Sequence, residues 1–71
     1  MSSPRRRSEL TAIEIRAVQL VADGLNYRDA GAELRVSEQM VKNWLRNARE
    51  VLGADSTPQA ACMALRRGLI S

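Results

Sequence analysis

The chain contains no histidine, no phenylalanine, one cysteine and only two aromatic residues, Tyr27 and Trp44. Each shortage removes a class of function. There is no histidine, the lone Cys62 lies in an apolar-looking helix, and no carboxylate pair or metal-ligand cluster stands out in the sequence. An enzyme is therefore not expected, nor a cofactor. Cys62 cannot make an internal disulfide, which points to a reducing, cytoplasmic setting, and it reads as a small apolar filler. No apolar run approaches the roughly 18 residues of a membrane span. The arginines near the amino terminus are not followed by the apolar segment of a signal peptide, so a soluble chain is expected. The 71 residues make one domain at most. Its core must come from Leu, Ile, Val, Ala and Met, and a core this small supplies only about 3–5 kcal/mol of net stability.

What is present is a helix with two unlike faces. In Ser37 to Gly53, the apolar residues Val41, Leu45, Ala48 and Leu52 fall on one stripe of a 3.6-residue period. The opposite face carries Gln39, Asn43, Arg46 and Glu50, with Lys42 and Asn47 on its shoulders. Donors projecting from successive turns are what a helix lying in the DNA major groove requires. The net charge of +3 is modest but unevenly placed. Arg5, Arg6 and Arg7 stand in the first residues without an acid. Arg35, Lys42, Arg46 and Arg49 gather on and just before this helix, an electrostatic footprint suited to phosphate.

Residues 1–9 read as a disordered basic arm able to track phosphates or a minor groove, and residues 10–71 as the folded domain. Thr11 to Glu14 spells a capping box with Leu10 as a staple residue. The helix that follows is apolar around most of its circumference, as expected of the central member of a small bundle. Gly24-Leu25, Gly53-Ala54 and Gly68-Leu69 each read as a glycine stop followed by an apolar residue folding back. Asn26 caps a second helix. Its Gly31 costs about 1 kcal/mol against Ala in mid-helix, so another backbone must approach there, the next helix being the natural neighbour. Ser37 caps the third helix. Thr57 as N-cap and Pro58 at the first helical position open the fourth, in which Ala60, Ala61, Ala64 and Leu65 form the apolar stripe and Met63 is left over. Helices are thus predicted near residues 11–23, 27–34, 38–52 and 58–67, an all-α fold with a helix-turn-helix whose second helix reads DNA.

From Leu10 to Ile70 the chain resembles the LuxR/GerE-type helix-turn-helix family. The shared skeleton is Leu10-Thr11, Glu14, Leu20, Ala22, Gly24, Leu34, Val36-Ser37, Val41-Lys42, Leu52-Gly53, Ala60, Ala64 and Gly68-Leu69-Ile70, at matching spacing and without gaps. The resemblance implies a four-helix DNA-binding domain of a transcription regulator, bacterial or phage-encoded. It places the family's DNA-contacting positions on Lys42, Asn43 and Arg46, and its basic second-helix position on Arg28. With no sensor or receiver region in the sequence, the small stand-alone members are the nearest in kind. Several residues depart from the pattern. Ile13 and Arg16 remove a common charge pair, Ala30 and Gly31 thin the second helix, and Met40 and Trp44 replace a Thr and a His. The last two read as packing at the rim of the core.

Together these readings give a sequence-specific regulator of double-stranded DNA. Gln39, Lys42, Asn43, Arg46 and Asn47 face the groove, with Arg28, Arg35 and Arg49 nearer the phosphates. A homodimer on an inverted repeat is expected through the fourth helix, at Gln59, Ala60, Met63, Ala64 and Arg67. The alternative is an RNA-polymerase-binding adaptor resembling the fourth region of sigma factors, suggested by Leu45 to Arg49; that region lacks the fourth helix with its Gly68-Leu69 end.

Overall fold

The structure is a computed structural model and describes residues 9–71; the basic arm, Glu9 apart, lies outside them. Four helices follow one another, α1 (Ala12–Ala22), α2 (Tyr27–Leu34), α3 (Glu38–Leu52) and α4 (Thr57–Arg66), and no strand occurs among the described residues. Each start is a side chain accepting from a free N–H of the first turn. Thr11 Oγ1 accepts from Glu14, Asn26 from Asp29 and Ser37 from Met40. In α4 the cap is Ser56, whose hydroxyl accepts from the Gln59 N–H, so the helix begins one residue before the position read for it. Thr57 is buried in the first turn, where its own hydroxyl has another partner.

All four helices stop by the same main-chain device. The N–H groups of Leu25, Val36, Ala54 and Leu69 reach back to the carbonyls of Leu20, Gly31, Arg49 and Ala64 at 2.8–3.1 Å. Three of these turns pass through a glycine at positive φ, Gly24, Gly53 and Gly68. The fourth passes through Arg35 at φ 64°, ψ 41°, a left-handed conformation that side chains other than Gly rarely adopt.

The core is formed by Ala17, Val18, Ala30, Val41, Leu45, Ala48, Leu52, Ala60, Ala64 and Ile70. α1 and α3 each touch all the other helices, while α2 and α4 do not meet. The central role expected of α1 is therefore shared with α3. Gly31 is buried where α2 meets the corner: a Cβ there would sit 2.8 Å from the Val36 carbonyl oxygen and 3.3 Å from Ser37 C and O. The close approach is made by the corner backbone, ahead of α3 itself. The chain end is tied to α1 by Gln19, which accepts from the Ser71 N–H at 2.9 Å and donates to the Ser71 backbone oxygen at 2.7 Å.

Two assignments in α4 are corrected. Ala60 and Ala64, expected at an interface between copies, are 1% and 0% exposed within a single chain, because they form the face that packs on α1 and α3. Met63, read as left over, is half-buried against that core, whereas Leu65, read as core, is 55% exposed.

Candidate nucleic-acid interface

The inner stripe of α3 is fixed by burial: Val41, Leu45, Ala48 and Leu52 are at most 3% exposed. That burial leaves the other side of the helix facing solvent, with Gln39, Lys42, Arg46 and Glu50 exposed and Asn43 half-buried. The polar residues there form a connected row. Gln39 Nε2 and Arg46 Nη2 both donate to Asn43 Oδ1, each at 3.1 Å. Lys42 Nζ lies 3.7 Å from Glu38 Oε2 in an exposed i,i+4 pair. Such a pair is worth only a few tenths of a kcal/mol, so phosphate competes for the lysine easily.

Arg28 in the first turn of α2 and Arg35 in the corner are also exposed. Two other basic or polar residues read for DNA contact already have partners in the fold. Asn47 is half-buried and its Nδ2 lies 3.4 Å from Glu14 Oε2, the carboxylate whose other oxygen accepts from the Thr11 N–H. Arg49 is half-buried and donates from Nη1 to Thr57 Oγ1 at 3.0 Å, joining the end of α3 to the start of α4. Both side chains hold α3 against its neighbours at either flank. Trp44 packs against the core as expected, but Met40 is 41% exposed beside the first turn of α3.

Glu14 is the residue whose second task the sequence reading missed. It is 3% exposed, and the capping box accounts for only one of its oxygens. A carboxylate that deep carries further partners, and a polar residue interrupting an apolar helix face was the available signal.

A model of the helix-turn-helix domain family matches residues 15–57, from α1 through the beginning of α4. The solved structure of the transcription factor GerE superposes with a TM-score of 0.84, at 32% sequence identity, covering 93% of this chain and 97% of that one. The chain belongs to the GerE-type helix-turn-helix family. The chain is also 31% identical over its 71 residues to the transcriptional regulatory protein YdfI of Bacillus subtilis (strain 168), and spans about a third (33%) of that relative's length. The GerE-type fold and these relatives identify a DNA-binding helix-turn-helix domain of the kind carried by transcription regulators. No helix among the described residues is long and apolar enough to cross a membrane.

Proposed function

We propose that this GerE-type domain is a sequence-specific transcription regulator that lays α3 in the major groove of double-stranded DNA and binds an inverted repeat as a homodimer. The observation carrying the proposal is the division of α3. One face is buried in the core, and the other presents exposed Gln39, Lys42 and Arg46 around half-buried Asn43 as a row of hydrogen-bonding groups. A helix held that way offers its donors at the edge of the fold, where base edges can be reached. Arg28 and Arg35 flank the row and serve phosphates, fixing register without reading sequence. Arg49 and Asn47 act by holding α3 in place, and direct DNA contact falls to Gln39, Lys42, Arg46, Arg28 and Arg35, with Asn43 bonded between Gln39 and Arg46. A complete α4 closed at Gly68 favours the regulator over the polymerase-binding adaptor.

The test is selection of bound sequences from a random duplex library. Replacing Arg46 by Ala is then expected to weaken the selected site by about 1–3 kcal/mol and to relax preference at one guanine. Its side chain is exposed, so the helical signal should not change. Unchanged affinity in a folded Asn43→Ala, Arg46→Ala double variant would defeat the assignment of α3.

With Ala60 and Ala64 inside the chain, the dimer contact rests on the outward side of α4. Leu65 is exposed there beside Pro58, Ala61 and Cys62 in an apolar groove that continues to Tyr27 and Ile70. Gln59 and Arg67 are exposed at the helix ends, and Met63 lies at its flank. A two-fold contact between such helices would set one α3 against each half-site, about one helical turn apart. Leu65→Glu is expected to abolish cooperative binding to two half-sites while leaving affinity for one half-site within about twofold. Equal cooperativity before and after the change, measured by gel shift, would exclude this face as the dimer contact.

A further inference from the structure

The hydrogen bonds on the outer face of α3 divide labour among its residues, and this division rests on the major-groove reading proposed above. A guanidinium can only donate. The Asn43 atom 3.1 Å from Arg46 Nη2 must therefore be the carboxamide oxygen, which fixes the orientation of that amide. The Gln39 atom 3.1 Å from the same oxygen must then be its nitrogen. Asn43 Oδ1 has two acceptor sites, and these two donors fill both. An asparagine reads adenine by accepting from N6 and donating to N7 at once, and Asn43 has no acceptor left for that. Gln39 differs: one amide hydrogen goes to Asn43, while its Oε1 and the second hydrogen have no partner among the described residues. Arg46 likewise gives one hydrogen to Asn43 and keeps four of its five donors.

We infer that Asn43 is a positioning residue that clamps Gln39 and Arg46, so that Gln39 reads an adenine and Arg46 a guanine. The clamp is half-buried in α3, so it holds two long exposed side chains that would otherwise sample many rotamers. Gln39 and Arg46 lie seven positions apart, about 10 Å of helix rise. The clamp brings their tips closer, since both donor nitrogens lie 3.1 Å from one oxygen and so within about 6 Å of each other; at roughly 3.4 Å per base pair, the two bases stand within about two steps.

The random duplex selection is run with the wild type and with Asn43→Ala, Asn43→Asp and Gln39→Ala, each checked for helical signal. The wild type is expected to enrich an adenine and a guanine at that separation. Asn43→Ala should lose preference at both positions together, by about fivefold or more at each, while binding to unrelated duplex at low salt is kept. Asn43→Asp keeps the acceptor oxygen and should retain both preferences, with overall affinity lowered by the added negative charge. Gln39→Ala should lose the adenine alone. The inference is overturned if Asn43→Ala relaxes a single base pair and spares the others, or if Asn43→Asp behaves like Asn43→Ala. A wild type that enriches no sequence would remove the groove-reading proposal itself, and this inference with it, a result distinct from either.

Discussion

Leu45→Ala is expected to leave the free domain largely unfolded at 25 °C. Leu45 is 1% exposed and, with Val18 and Val41, is among the largest side chains buried completely. Truncating such a leucine removes its transfer free energy and leaves a cavity, for a loss of about 2–5 kcal/mol. The whole stability of a chain this small is only about 3–5 kcal/mol, so one side chain is comparable with the total. No phenylalanine is available to fill the hole, and half of the ten core residues are alanines, too small to collapse into it. Far-UV circular dichroism with a urea titration measures the effect. Adding the selected duplex should restore helix, because a ligand that binds only the native state at a hundredfold excess over its Kd contributes about 2.7 kcal/mol. A variant within about 1 kcal/mol of the wild type would show that Leu45 is not the anchor described.

Gly31→Ala is the second large effect, and two terms oppose each other in it. Alanine gains about 1 kcal/mol over glycine in a helix interior. Its methyl group, however, would stand 2.8 Å from the Val36 carbonyl oxygen. That oxygen belongs to a backbone pinned on both sides, by the Val36 N–H bonded to the Gly31 carbonyl at 2.8 Å and by the Ser37 cap of α3. It cannot swing aside as a flexible side chain would, so the corner itself must open. Overpacking of this kind costs about 1–3 kcal/mol net, which lowers Tm by about 4–8 °C per kcal/mol in a chain of this size. Because the shift tilts α2 against α3, Arg28 and Arg35 move relative to the reading row. DNA affinity should therefore fall even at temperatures where the variant remains folded. A Gly31→Ala domain as stable as the wild type would mean that the corner yields freely.

The sequence made the two-faced helix, the small residue at the crossing and three of the four helix stops legible, because each is a local pattern with one physical cause. The end of α2 before the corner at residues 35–37 was legible too, but the left-handed turn at Arg35 was not, since it carries no glycine of its own. The rotation of α4 was not legible either. Its ten residues include Ala60, Ala61 and Ala64, whose small side chains mark two adjacent faces about equally. The choice between Met63 and Leu65 as the outward residue then depended on where α1 and α3 lie. For the same reason, the bonds that Asn47 and Arg49 make inside the fold were not legible beside their reading as groove and phosphate ligands. Their charge and polarity fitted, but their partners Glu14 and Thr57 lie 33 and 8 positions away in the chain. Asn43 was read as touching DNA, and nothing in the spacing alone shows that its oxygen is shared by Gln39 and Arg46.

The four identical helix stops carry a consequence for how the molecule comes together. Each is a main-chain bond between residues five positions apart, such as Leu25 to Leu20, so every helix is bounded by contacts formed within its own stretch of chain. Short loops lose little entropy on closing, and helical domains dominated by such local contacts fold in microseconds to milliseconds. A domain that refolds that quickly can tolerate a thin margin of stability.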